Sequence, residues 1–172
     1  MKLIVNLATQ TAELYDDKNV CARRYRVSTA AKGAGELRNS YCTPRGRHIV
    51  RAKIGRNAPQ NTVFVRRRPT GEIYSSALHE AFPDRDWILT RILWLSGCEP
   101  GKNRLGDVDT MRRYIYVHGT PDRVPLGVPG SHGCIRMANR DIIELFDLLP
   151  VRSEVVIIEG NENTCQGNEW KG

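Results

Sequence analysis

Short apolar segments separated by turn residues dominate the first sixty residues, and this pattern favours a β-sheet. Leu3, Val5 and Leu7 recur at the two-residue period of a strand. A second segment covers residues 11–15, and a polar cluster at 16–19 separates it from a third at 20–27. Short turns of this kind join antiparallel neighbours. The sequence therefore predicts a meander of three antiparallel strands.

The rest of the chain adds further strands and one clear helix. Apolar residues at helical spacing lie between Asn139, the predicted N-cap, and Pro150, which predicts a helix over about 139–149. Further strands are predicted at residues 48–54, 62–66, 87–95, 114–118 and 154–159. We therefore expect a mostly-β single domain over residues 1–159, with short helices in its loops and a polar C-terminal tail at 160–172.

The composition is that of a soluble globular chain. No apolar stretch in the 172 residues approaches the ~20 that a spanning helix needs, so we expect no membrane partner. The net charge of +7 suits an acidic substrate or a nucleic acid, but it also suits a solvated basic face. The densest basic run is Arg66–Arg68, which we interpret as such a face. No nucleic-acid partner is therefore expected.

The cysteines indicate reduced thiols and no metal site. Their number is odd, and they form neither a CxxC pair nor a zinc-like spacing. The N-terminal apolar run is interrupted at Asn6, before it reaches the length of a secretory signal. We therefore expect a cytoplasmic protein without metal or cofactor. The five cysteines are Cys21, Cys42, Cys98, Cys134 and Cys165.

One segment, HGTPDRVPLGVPGSHGCIR at residues 118–136, carries the residue types of a nucleophilic site. Cys134 follows a glycine on a predicted turn, where backbone N–H groups can surround a reacting carbonyl oxygen. His118 ends a predicted strand, and the proline-containing loop behind it can fold back toward the cysteine. A histidine beside a thiol serves as its base and then as the acid for the leaving group. A buried, inert cysteine is the alternative at this position.

The stretch Ser131–Arg136, with His118 and Gly119 upstream, resembles the signature of the L,D-transpeptidase catalytic domain (YkuD) family. The stretch Thr43–Gly46 is similar to the T-P-x-G segment of that family, and the first hairpin is also similar. The resemblance covers residues 1–159. In one departure, only 12 residues separate His118 from Ser131, a shorter spacing than is usual in the family. We expect the shorter loop to alter one wall of the groove.

The resemblance implies a β-sandwich fold and a defined chemistry. The motif cysteine of the family attacks the bond between meso-diaminopimelate and D-alanine in peptidoglycan stem peptides and forms a thioester. A carbapenem-type β-lactam is a further candidate partner, as an adduct at Cys134, although the sequence itself is silent on it. The implied residues are Cys134 as nucleophile, His118 as base and acid, Gly119 as the carbonyl that orients His118, Gly133, Cys134 and His132 as oxyanion donors, and Arg136 and Ser131 as substrate contacts. For Arg136 the alternative is a salt bridge that braces its loop. Tyr116, two residues before His118 on the same strand face, is a further candidate substrate contact, with a place in the core as the alternative.

The identity of the acyl acceptor is a separate question. The expected cytoplasmic location favours water, which makes the protein an L,D-carboxypeptidase that trims D-alanine from murein tetrapeptides during recycling. A transpeptidase that forms 3-3 cross-links or exchanges D-amino acids is the first alternative. A non-catalytic basic module is the second. Further basic residues expected near the substrate are Lys102, Arg104, Arg112 and Arg113.

Overall fold

The computed structural model describes residues 1–160, so Cys165 and the predicted tail beyond Gly160 lie outside the described residues. Within this range the chain forms ten strands, two α-helices and a short 3-10 helix at Gly106–Val108. None of the helices described is long and apolar enough to cross a membrane. The elements are β1 (Lys2–Asn6), β2 (Thr11–Tyr15), β3 (Cys21–Ser28), β4 (Gly46–Ile54), β5 (Thr62–Val65), β6 (Arg68–Ile73), α1 (Ser76–Ala81), β7 (Ile88–Gly97), β8 (Tyr116–Gly119), β9 (Ile135–Met137), α2 (Asn139–Leu148) and β10 (Glu154–Ile158).

The predicted meander is confirmed, and it belongs to a sheet that closes on itself. Strands β1, β2 and β3 pair antiparallel in sequence order. The sheet order is β4-β10-β1-β2-β3-β9-β8-β7-β5-β6, and β4 also pairs with β7. The first eight strands of that order therefore form a hydrogen-bonded ring, while β5 and β6 extend from it as a hairpin. The mostly-β class with one longer helix, expected from the sequence, is confirmed.

The ring encloses one apolar core. Every ring strand contributes buried residues to it, among them Leu14, Val50 and Leu95. Helix α2 adds Ile142, Leu145 and Phe146, because its apolar residues recur at three- and four-residue spacing, and Leu149 follows directly after it. Burial of these side chains is the main stabilising contribution in a domain of this size.

The N-cap prediction for Asn139 is wrong. Ala138 occupies the cap and makes no side-chain cap hydrogen bond, while Asn139 is the first helical residue. The amide of Asn139 is instead buried in a polar cluster, where it accepts from Thr90 Oγ1 at 2.5 Å and donates to the carbonyl of Thr120 at 3.0 Å. An amide that bonds tertiary partners is not available to cap its own helix.

Two neighbouring strands of the ring, β8 and β9, carry residues of the predicted signature. Strand β8 lies between β7 and β9 and runs parallel to β9, with His118 opposite Arg136. The side chains of Val117 and Ile135 join the ring core. Because successive side chains of a strand alternate between faces, His118 and Arg136 lie on the opposite face, outside the ring core.

Candidate active site

A pocket of about 420 Å³ lies on this outer face and contains the predicted thiol and imidazole. Cys134, immediately before β9, and His118, on β8, both line it. Ser131, His132, Arg136 and Tyr116, which the sequence also assigned to the site, line the same pocket. Parallel pairing of β8 with β9 brings together residues that a loop of Gly and Pro residues separates along the chain.

The thiol of Cys134 is held by the backbone that leads into β8. Its Sγ accepts from the N–H of Tyr116 at 3.4 Å and donates to the carbonyl of Tyr114 at 3.4 Å. Burial raises the pKa of the thiol to about 12, and the nearby Asp86 carboxylate acts in the same direction. The resting group is therefore a neutral thiol, which a base must deprotonate during attack.

The ring of His118 has a defined tautomer. Its Nδ1 lies 2.7 Å from the carbonyl oxygen of Gly119. A carbonyl can only accept, so Nδ1 carries the proton and Nε2 keeps its lone pair in the neutral ring. Burial lowers the pKa of His118, which keeps the ring neutral at pH 7. A neutral imidazole with a free Nε2 is the form that accepts a proton from a thiol.

Hydrogen bonds from Ser131 and Thr43 stabilise the turn that carries Cys134. Ser131 Oγ donates to the carbonyl of Cys134 at 2.5 Å and accepts from the N–H of Gly133 at 3.2 Å. Gly133 has a φ of 128°, a conformation that favours glycine. The hydrogen bond to Ser131 occupies the Gly133 donor that the sequence assigned to the oxyanion hole. Thr43, from the T-P-x-G segment, donates to the carbonyl of Gly133 at 2.9 Å.

Arg136 makes an ion pair that the sequence analysis named as its alternative role. Its guanidinium donates to Asp86 Oδ1 at 2.9 Å and to the carbonyl of Gly130 at 3.0 Å. The exposed ring of His132 lies 4.0 Å from the other oxygen of Asp86 and packs edge-on to Tyr41. Asp86 therefore neutralises Arg136 at one end of the pocket.

The other basic residues expected near the substrate are divided among three locations. Arg113 lines the pocket, but its guanidinium bonds the carbonyls of Gly35, Glu36 and Cys42. Lys102 pairs with Glu99. Arg104 and Arg112 line a separate pocket of about 230 Å³ beside β7.

Three charged residues of the pocket were not assigned to the site from the sequence. Asp86 lies in a polar stretch without a motif, and no sequence pattern could have assigned it. Arg66 and Arg67 belong to the run interpreted as a solvated face, yet both line the pocket. No usual turn residue marks the two-residue hairpin turn between β5 and β6 that brings them there, because Arg66 and Arg67 themselves form it. No group of three or more metal-ligating side chains occurs among residues 1–160.

Comparison with known proteins agrees with the fold. The L,D-transpeptidase 3 of Mycobacterium tuberculosis superimposes with a TM-score of 0.56 at 17% identity, covering 92% of this chain and 60% of that one. The same enzyme with a faropenem-derived adduct gives 0.51 at 16% identity, covering 91% and 59%. A short segment of 47 residues is 45% identical to the probable L,D-transpeptidase ErfK/SrfK of Escherichia coli, covering 27% of this chain and 15% of that protein. The chain thus covers less than two thirds of each of these relatives.

A model of a protein family matches almost the whole described part of the chain. The model described as the L,D-transpeptidase catalytic domain, YkuD, matches residues 1–157. This range includes all ring strands except the last residue of β10, as well as the thiol, the imidazole and the T-P-x-G segment. The chain therefore belongs to the L,D-transpeptidase catalytic domain family.

Proposed function

We propose that this enzyme is a cysteine-dependent L,D-carboxypeptidase that removes D-alanine from meso-diaminopimelate-containing murein tetrapeptides. The observation that carries the proposal is the thiol of Cys134 in one pocket with a His118 ring whose Nε2 is left free by the bond from Nδ1 to Gly119. This pair suits acyl transfer through a thioester. A purely non-catalytic binding module gives no reason for such a pair.

The first half-reaction uses groups already in place. The sulfur of Cys134 attacks the carbonyl carbon of the L-centre of meso-diaminopimelate while Nε2 of His118 takes the thiol proton. The oxyanion that forms requires N–H donors, for which the backbone N–H groups of Cys134 and His132 are the candidates, because the N–H of Gly133 is bonded to Ser131. Collapse breaks the C–N bond, and His118 returns its proton to the amine of the departing D-alanine. A thioester remains.

Water is the proposed acceptor in the second half-reaction. His118 takes a proton from water, the hydroxide adds to the thioester carbonyl, and the thiolate leaves and regains the proton. The pocket of about 420 Å³ is open to solvent, and a second stem peptide would need a binding site of its own beside the first. Water has no such restriction, and soluble murein fragments of the cytoplasm are the proposed substrates.

Cross-linking or D-amino-acid exchange is the second candidate. The relatives named above are L,D-transpeptidases, and one of them is solved with a faropenem-derived adduct. An amine acceptor would use the same thioester, with His118 taking the proton of the amine instead of water. The faropenem-derived adduct also supports the proposal that β-lactams acylate Cys134.

Mass spectrometry of the products tests the proposal. The purified protein is incubated with the tetrapeptide, alone and with an amine acceptor such as a second stem peptide. Cys134→Ala is the inactive variant, and Cys98→Ala is the matched control because Cys98 lies outside the thiol pocket. Tripeptide and free D-alanine in both reactions support a carboxypeptidase. Dimer or exchange product with the acceptor supports a transpeptidase, and turnover by Cys134→Ala contradicts both.

A further inference from the structure

The hairpin between β5 and β6 carries an unusual turn at the rim of the pocket. Val65 pairs with Arg68, so the turn consists of Arg66 and Arg67 alone. Their φ angles are 49° and 65°, both in the left-handed region. Two-residue hairpin turns of this hand favour Asn-Gly, because other residues adopt the conformation at a cost. Two consecutive arginines in such a turn are therefore strained.

Arg67 is held in this conformation by the aromatic residues beside it. Its guanidinium carbon lies 4.8 Å from the ring centroid of Trp94 and 4.6 Å from that of Tyr114. Its NH1 donates to the hydroxyl of Tyr116 at 2.9 Å. These three contacts fix the turn against β8 and β7. Arg67 is thus a positioning residue for its neighbour.

The side chain of Arg66 differs from every other guanidinium of the pocket. Arg113 is engaged by backbone carbonyls, Arg136 by Asp86, and Arg67 by the aromatic residues. Arg66 lines the pocket, is exposed, and has no side-chain partner among residues 1–160. The turn therefore places an arginine without a side-chain partner at the pocket that also contains the thiol.

We propose that Arg66 binds a carboxylate of the peptide substrate and thereby determines specificity. This inference rests on the proposed function. A murein tetrapeptide offers two carboxylates near the bond to be cleaved, the C-terminal one of D-alanine and the side-chain one of meso-diaminopimelate. A guanidinium matches either with two parallel hydrogen bonds. Because Asp86 neutralises Arg136, Arg66 is the guanidinium that remains available.

The test compares Arg66→Asn with the matched control Arg68→Gln. Asn adopts left-handed conformations readily, so the first variant keeps the turn. Arg68 is exposed on the same hairpin and does not line the pocket. Each protein is assayed with the tetrapeptide, with its C-terminal carboxamide, and with the peptide amidated on the diaminopimelate side chain.

We expect Arg66→Asn to raise the KM for the parent tetrapeptide about tenfold, with kcat within twofold and Arg68→Gln unchanged. Amidation of the carboxylate that Arg66 binds should remove the difference in KM between wild type and Arg66→Asn. The amidated peptide for which the two proteins have the same KM therefore identifies that carboxylate. An unchanged KM for the parent peptide overturns the proposal. An equal rise in KM for all three peptides also overturns the proposal. Such a rise would reflect the positive charge of Arg66 in general and not an ion pair with one carboxylate.

Calorimetric binding separates this inference from the proposed function. If wild type does not cleave the tetrapeptide, the same peptides are titrated into Cys134→Ala with and without Arg66→Asn. Tighter binding with Arg66 present supports carboxylate recognition although the chemistry fails. Equal binding, or no binding of the parent peptide, overturns it.

Discussion

The hydroxyl of Thr43 donates a hydrogen bond of 2.9 Å to the carbonyl oxygen of Gly133, which lies 90 residues further along the chain. The hydroxyl oxygen of Thr43 also accepts from the N–H of Ala30 at 3.0 Å. One buried hydroxyl thus ties the segment before β4 and the segment after β3 to the turn that carries the thiol. This explains in physical terms why a T-P-x-G segment accompanies the S-H-G-C segment.

Thr43→Val should disturb the thiol turn while keeping the size of the side chain. It leaves the carbonyl of Gly133 and the N–H of Ala30 without their partner, so the free energy of unfolding should fall by about 1–3 kcal/mol. We expect kcat to fall because the turn is no longer fixed. Denaturant unfolding and peptide turnover measure the two effects, and Thr43→Ser should restore both. Full activity in Thr43→Val would show that the turn is positioned by other contacts.

The pH dependence of alkylation reports the charge state of Cys134. Because the pKa of the thiol is raised to about 12, the thiolate fraction grows tenfold per pH unit across the neutral range. The labelling rate with iodoacetamide should therefore rise steadily from pH 6 to pH 10. A pre-formed thiolate–imidazolium pair would instead give a plateau near neutral pH. Mass spectrometric counting of label on Cys134, with Cys134→Ala as blank, distinguishes the two.

The enzyme should remain active at pH values below 6.5. His118 must be neutral to accept the thiol proton, and its pKa is lowered by burial. Activity should therefore persist as the pH falls through 6.5 and decline only below the lowered pKa. A kcat/KM profile that falls with a midpoint at 7 or above would contradict this assignment.

Asp86→Asn should make the thiol more reactive. The carboxylate of Asp86 raises the pKa values of both Cys134 and His118, whereas Arg136 lowers them. Removing the negative charge leaves Arg136 unopposed, so alkylation of Cys134 at a fixed pH should accelerate. Because Asp86 is partly exposed, the gain should be about two- to fivefold and should shrink in high salt. An equal or slower rate at low ionic strength would contradict the prediction.

Acid should destabilise the fold through buried histidines. His48 is buried, with its Nδ1 donating to the carbonyl of Gly46 and its Nε2 accepting from the hydroxyl of Thr110. Burial lowers its pKa from 6.5 to about 4. Below pH 6.5 His48 binds a proton in the unfolded chain but not in the folded chain. The free energy of unfolding therefore falls as the pH falls toward 4. His48 alone corresponds to about 3 kcal/mol over this window. Unfolding at several pH values should show the slope, and His48→Asn should flatten it; an unchanged slope would contradict the assignment.

Sequence patterns predicted the strands in which one face is buried, because burial of one face makes apolar and polar residues alternate. Strands β1, β2, β4 and β10 have one side in the ring core, so their apolar residues recur at period two or in short runs. Strand β6 was missed because Arg68–Ile73 is almost wholly exposed and contains Pro69 and Gly71, as an edge strand can. Strand β9 was missed because three residues are too few for a period.

The residues of the candidate site likewise fall into those that the sequence predicted and those that it did not. Cys134 and His118 lie in one short segment whose residue types predicted their roles, and the family resemblance added Gly119. Asp86 and Arg66 reach the pocket only through the pairing of β5 with β7 and the path into β7. Such contacts depend on sheet topology, which no local pattern encodes. The ion pair of Arg136 could be named beforehand only as an alternative, because its partner was unknown.

Closure of the ring has a consequence for the order of events during synthesis. Strand β10 lies between β1 and β4, so the last strand made completes a sheet begun by strands within the first 54 residues. Until residue 158 has left the ribosome, β1 and β4 each lack a neighbour, although β8 and β9 have already been translated. Non-local pairing of this kind forms slowly and late. The nucleophile is therefore assembled only when translation of the domain is complete, and a growing chain carries an unconfined thiol.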